Sequence, residues 1–265
     1  MNIYWHELKA LRKSTIVWTL SLAAIIIFFM SVYPSFTKDV EDFTKMLEGY
    51  PEPVRKAIGL DISNVFSLLG FYSYCLVYIT LCAAIQAMNL GTSILSKEAR
   101  EKTADFLMTK PVTRSKIMTS KILAAFTSLV FTDMIYFVVA FSIATSVATE
   151  DFSSQVFFMI SITILFTQLI FFAIGLFLSV ILSKIKSVLT VSLGTVFTFF
   201  IISIIVSTTE DDIKRYFTPF KYFDTAYIME KSSYEMSFLL VGVAIVIAAI
   251  TASYFLFIKK DIHAV

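Results

Sequence analysis

Charged side chains are scarce in this 265-residue chain, at 16% against the roughly one quarter usual for a soluble domain. Hydrophobic residues make up 57%, Phe alone contributes 27, and mean hydropathy is +0.80. A soluble core could not absorb that much apolar surface, so lipid is the simpler solvent. Net charge is only +2, which gives no support to a nucleic-acid partner. The two cysteines, Cys75 and Cys82, lie in one apolar stretch. Seven residues apart, they share a helix face but cannot bridge within a straight helix, so they read as small buried apolar side chains. The two histidines, His6 and His263, sit near opposite termini, and there is no HExxH to hold a metal. No GxxxxGK[ST] loop is present to cradle nucleotide phosphates. No Ser–His or Ser–Lys arrangement suggests an intramembrane protease. These absences leave no catalytic residue, cofactor site or metal site in the chain itself.

Long apolar runs are what the chain has instead. A membrane-crossing helix needs about 20 mostly apolar residues. Six stretches qualify, over 15–33, 63–95, 120–147, 156–183, 188–207 and 236–258. The predicted fold class is therefore all-α, a polytopic membrane protein with six transmembrane helices forming one transmembrane domain. Lys9, Arg12 and Lys13 precede the first run as in a signal peptide. That run ends in FFMSVYPSF without a small-x-small cleavage site, and further apolar segments follow, so it reads as a retained span. Only KIKS separates the fourth and fifth runs, which predicts a tight hairpin.

Charge placement sets the expected orientation. With the N-terminus inside, the inner segments hold 14 Lys/Arg and 5 Asp/Glu, and the outer segments hold 8 and 14. The inner side is then +9 and the outer −6, as the positive-inside rule requires, and both termini are expected in the cytoplasm. The bias fits a bacterial plasma membrane.

The remaining segments carry local signals. In MNIYWHELKALRK, residues 1–13, Tyr4, Leu8 and Leu11 share a helical face with Glu7, Lys9, Arg12 and Lys13 mostly elsewhere. This predicts a short interfacial helix on the inner membrane surface before the chain turns into span one. In the outer segment 34–62, Phe43, Met46 and Leu47 have helical spacing, Gly49 is a stop, and 53–59 adds one or two turns beside Pro51 and Pro53. In the outer segment 208–235, Thr209 and Asp212 have capping-box spacing before Pro219. Its dense aromatics, among them Tyr216, Phe217, Phe220, Tyr222, Phe223 and Tyr227, suit the headgroup level. Both segments read as extracellular caps over the bundle.

One charge falls inside a span. Asp133, in LVFTDMIYF, is near the middle of span three, where a carboxylate is costly unless paired, protonated or wet. It reads as a polar spot on a substrate path, a helix–helix contact or dimer seam, or a proton-coupling group. Gln86, Asn89 and Gln168 are the amides available to hydrogen-bond it.

The inner segment between spans two and three, 96–119, is the most informative. Glu98 and Lys102 form an i,i+4 pair, Glu101 and Asp105 repel, and Phe106, Leu107 and Met108 make an apolar notch before Pro111. Such a notch ringed by charge suits a groove on a partner protein. EAREKTADFLMTKPVTR, 98–114, resembles the cytoplasmic loop of ABC-2 type transporter permeases, which carries a Gly-Thr-x-Glu-x-Leu-Leu core and a Pro-Val/Ile-Ser/Thr-Arg turn. Thr103 matches the threonine, Asp105 stands for the glutamate, and Phe106 and Leu107 keep the apolar ridge. Pro111, Val112, Thr113 and Arg114 match the turn, and Lys121 matches the basic residue entering the next span. Lys102 departs from the usual glycine. TPFKYFD at 218–224 and FIKKDI at 257–262 resemble further stretches of the same family.

The resemblance implies a permease subunit of an ATP-driven exporter. Two copies, expected as a homodimer, would enclose the path for an amphipathic or hydrophobic substrate such as a peptide, antibiotic or lipid-like molecule. A cytoplasmic ABC ATPase subunit, two per complex, would bind ATP and Mg. It would dock on a coupling helix through Glu98, Glu101, Thr103, Asp105, Phe106, Leu107, Pro111 and Arg114. Membrane lipid is the other partner. The alternatives are a non-transport membrane sensor or assembly subunit holding an ATPase, and an ion-coupled carrier centred on Asp133.

Overall fold

The computed structural model describes residues 3–38, 40–58, 64–100, 112–182, 185–209 and 211–259. Among these, six helices are long and apolar enough to cross a membrane. They are α1 (Ile3–Phe36), α4 (Leu68–Arg100), α5 (Arg114–Val147), α6 (Ser154–Ile181), α7 (Val188–Ser207) and α10 (Met236–Lys259). The short elements are α2 (Val40–Glu48), α3 (Glu52–Ala57), α8 (Asp212–Arg215), a 3₁₀ turn (Pro219–Lys221) and α9 (Thr225–Lys231).

Side-chain caps set several helix starts. Thr113 accepts a hydrogen bond from the Lys116 N–H, Ser153 from Val156 and Ser187 from Thr190, opening α5, α6 and α7. Asp211 and Asp224 do the same for α8 and α9. Each satisfies one of the amides that a helix start leaves unpaired. The α8 cap is therefore Asp211, one residue before the expected Asp212 partner; Thr209 instead donates back to the Val206 carbonyl at the end of α7. Gly49 follows α2 as its composition predicts.

The expected separate N-terminal helix and turn are replaced by one element. α1 runs unbroken for 34 residues, about 50 Å at helical rise against a hydrocarbon thickness near 30 Å. No residue between Lys13 and Ile16 breaks the helical pattern, so the amphipathic start simply continues the span. Tyr4, Leu8 and Leu11 do share the half-buried face, and Glu7 joins them there.

The core consists of two parallel pairs. In α1 and α5, Thr15 and Ser128 approach at 2.5 Å and Thr19 and Thr132 at 3.0 Å, a constant register with hydroxyls four residues apart on both helices. α4 and α6 run parallel in closer contact and hold the most buried apolar spans. Their backbones nearly touch. A Cβ on Gly91 would strike the Phe172 carbonyl and sit 2.9 Å from the Leu176 nitrogen, and one on Gly175 would lie 2.7 Å from the Met88 carbonyl oxygen. Small residues at such crossings are how helices pack without a hydrophobic drive from water. α7 packs chiefly on α4 rather than along α6, and α10 on α6. Exposed apolar residues, such as Leu20 and Phe28 on α1, Met134 and Val138 on α5, and Ile247 and Phe255 on α10, cover the outside with surface suited to hydrocarbon. Cys75 is buried in the core, Cys82 is half-buried, and both are free thiols.

The two glycines give a direct test. Gly175→Val forces backbone separation and is expected to destabilise the bundle by about 1–3 kcal/mol, read as a lowered thermal midpoint in detergent. A wild-type midpoint would show that the helices are not in contact there.

Candidate functional site

The bundle has two chemically distinct ends. At one, the start of α1, the end of α4, the start of α5 and the end of α10 converge. Lys121 is fully buried, and its Nζ donates to Glu7 Oε1 and to the Ile94 carbonyl, both at 3.0 Å. One ammonium thus ties α5 to α1 and α4. Arg114 Nη1 donates to the Ile258 carbonyl at 3.1 Å, and Tyr254 donates its hydroxyl to the Ser115 carbonyl at 2.9 Å, tying α10 to the first turn of α5. These ties flank the segment singled out for partner docking. Glu98 lies in the last turn of α4 and Arg114 opens α5, while Glu101, Thr103, Asp105, Phe106, Leu107 and Pro111 lie outside the described residues.

Deeper in the bundle, a polar chain crosses all four core helices. Thr19 of α1 meets Thr132 of α5, Gln86 Nε2 of α4 donates to Thr132 Oγ1 at 3.2 Å, and Gln168 Nε2 of α6 donates to Gln86 Oε1 at 3.4 Å. Tyr72 bridges Tyr136 at 3.2 Å and Ser161 at 2.8 Å, linking α4, α5 and α6 nearer the other end. Two of the three amides expected to serve Asp133, Gln86 and Gln168, therefore serve each other and Thr132. Both Asp133 oxygens are buried and have no hydrogen-bond partner among the described residues. Asn89 is half-buried one turn from Gln86. The reason is angular: Thr132, one position before Asp133, faces α1 and α4, which rotates the carboxylate off that seam by about 100°.

The opposite end holds a cavity of about 730 Å³ between α4, α6, α7, α3 and the 208–229 stretch. Ser73 and Thr80 of α4, Thr163 and Thr167 of α6, and Ser203 and Ser207 of α7 supply hydroxyls to its wall. The TPFKYFD stretch builds its lid edge. Thr218 donates to the Phe199 carbonyl at 2.8 Å, Phe220 packs on Phe171 and Phe200 with ring centres 5.0 and 5.5 Å apart, and Tyr222 donates to the Tyr216 carbonyl at 2.9 Å. Arg215 is paired with Glu235 and lies 4.1 Å over the Phe238 ring. Burial alone lowers the Arg215 pKa, but the hydrogen bond and charge of Glu235 outweigh it and the net shift is upward. Burial pushes the Tyr234 hydroxyl up to about 12, and it donates to the Met159 carbonyl at 2.9 Å. Several of the aromatics predicted to sit at a headgroup level thus pack inward against helix ends, although Phe217 stays exposed.

Sequence reasoning missed the Glu7–Lys121 tie and the Thr/Ser register of α1 and α5. The register had a signal, since Thr15/Thr19 and Ser128/Thr132 repeat the same spacing in two apolar runs. The ion pair had none, because its partners are 114 residues apart. No group of three or more His, Cys, Asp or Glu able to hold a metal occurs among the described residues.

Lys121→Met leaves Glu7 without its cation and is expected to cost about 3 kcal/mol, whereas adding Glu7→Gln recovers part of that loss. Thermal unfolding of both single variants and the double variant measures the coupling. Additive losses would mean the pair does not interact.

Residues 1–262 match the family model described as ABC-2 family transporter protein. No curated protein matches the chain. Permeases of this family are non-catalytic and pair with ABC ATPase subunits. Six apolar helices, a polar seam through their centre and a family match over nearly the whole chain agree: the protein belongs to the ABC-2 family of membrane transporter proteins, as a multi-pass permease.

Proposed function

We propose that the chain is the membrane half of an ATP-driven exporter in a plasma membrane, with both termini cytoplasmic. Two copies enclose the path, and each docks one ABC ATPase through the segment from Glu98 to Arg114. The ATPase carries ATP and Mg. The substrate is amphipathic or hydrophobic and leaves through the end of the bundle that holds the cavity, where 34–62 and 208–235 form the extracellular caps.

The observation that carries this reading is the Lys121 tie. The docking segment leaves α4 six residues after Ile94 and re-enters α5 seven residues before Lys121, so a push on it reaches a point where three helices meet. Lys121 is buried, so α5 cannot move against α1 without breaking its ion pair with Glu7, or against α4 without breaking its hydrogen bond to the Ile94 carbonyl. Such a join passes displacement into the bundle instead of absorbing it locally. The hydroxyl-lined cavity at the other end then supplies the place where the displacement alters access.

Reversing charge at Glu98, Glu101 or Asp105 to Lys is expected to weaken co-purification of the cognate ATPase by roughly tenfold or more, while the bundle stays folded. Unchanged co-purification together with unchanged substrate-stimulated ATP turnover would sink the docking assignment. Asp133→Asn keeps the side-chain size and is expected to leave transport intact across a wide pH range. Loss of transport with altered pH dependence would favour the ion-coupled carrier.

A further inference from the structure

The charges around the loop-end cavity do not cancel pair by pair. Glu52 is held by Lys56 at 2.7 Å, and Asp212 by Arg215 at 3.5 Å. Asp211 caps α8 and faces Lys214, and Asp224 is exposed and caps α9. Arg215 is taken by Glu235. Two lining cations form no direct pair, although Glu52 acts on Arg55 and Asp224 on Lys221 through space. Arg55 and Lys221 make no hydrogen bond or ion pair through their side chains with any described residue, and Arg55 Nε is buried without an acceptor. Burial lowers the Lys221 amine pKa, and the nearby Arg215 charge adds to that, against the pull of Asp224. Ser73 Oγ, on the same wall, is likewise buried and has no hydrogen-bond partner among the described residues. Half-buried cations and a buried hydroxyl left without partners are costly, and an anion in the cavity offsets that cost. The rest of the wall includes Leu76, Val77, Phe200, Phe220, Phe223 and Met229, which a bare ion would not cover. The volume lies in the range of sites for small organic ligands, roughly 300–1,000 Å³.

We infer that this cavity binds an amphiphile by an anionic headgroup of phosphate, sulfonate or carboxylate type, with Arg55 and Lys221 on the headgroup and the aromatic and aliphatic wall on the apolar body. The inference rests on the permease reading above and narrows its substrate class.

The test uses the full-length chain in phosphatidylcholine nanodiscs, titrated calorimetrically with dodecyl phosphate, inorganic phosphate and dodecyltrimethylammonium. Saturable binding of dodecyl phosphate is expected, weakened about tenfold by Lys221→Ala and by Arg55→Ala and restored by Lys221→Arg. Circular dichroism of each variant reports that the helices are intact, and the Lys221→Arg result separates loss of charge from loss of fold. Equal binding of dodecyltrimethylammonium, or wild-type binding of dodecyl phosphate by both alanine variants, overturns the headgroup assignment. Equal affinity for inorganic phosphate alone overturns the amphiphile. ATPase co-purification on the same wild-type preparation keeps the two readings apart. If it persists while anion binding fails, only the headgroup assignment falls; if it fails while anion binding persists, only the docking reading falls.

Discussion

Where Gly91 and Gly175 cross, two helix backbones lie closer than any side chain allows, and the geometry of the bundle follows from that contact. α7 rests on α4 and α10 on α6, so the spacing of the central pair sets the spacing of both flanking helices. The 3.4 Å bond from Gln168 to Gln86 exists only at that separation. The cavity walls on α4, α6 and α7 are placed by the same distance. In water a cavity or a slipped contact can be repaired by burying more apolar surface. In hydrocarbon that drive is missing, so close contact and internal hydrogen bonds must hold the helices together.

Polar groups in the bundle are distributed by what each depth demands. At the terminal end a full ion pair is tolerated because Lys121 has both a carboxylate and a carbonyl to satisfy it. Mid-bundle contacts use only hydroxyls and amides, which cost less to bury than charges. Asp133 stands apart, since its oxygens have no hydrogen-bond partner among the described residues. At the loop end the hydroxyls line open space rather than meet one another, which suits a surface for visiting molecules.

The number and positions of the apolar helices were legible because each needs an uninterrupted run of suitable length, and nothing in the tertiary structure competes with that signal. The start of α7 at Val188 follows the run directly. The expected turn before span one is absent for a physical reason: amphipathic and uniformly apolar stretches both satisfy a helix, and continuity between them leaves no mark unless Gly or Pro intervenes. Glu7 reads as a polar-face residue from its own neighbourhood, because the partner that draws it inward, Lys121, is distant in sequence. The amide partners proposed for Asp133 had the right depth, but depth alone does not give the rotation about the helix axis. Pairings such as Thr218 with the Phe199 carbonyl join a side chain to a backbone atom and leave no trace in composition.

The last helix is held at both extremities. Near its start, Phe238 is packed against Tyr216 and Tyr222 beneath Arg215; near its end, Tyr254 and the Ile258 carbonyl are fastened to the first turn of α5. Between these points it touches mainly one neighbour and exposes most of its flank. It is thus a tie rod of set length, joining the cavity rim to the base of the bundle. One added turn would lengthen it by about 5 Å, more than either anchorage can absorb. Side chains on its exposed flank are free to drift in evolution while its residue count is not, so among related chains this helix should vary in composition on that flank and hold its length.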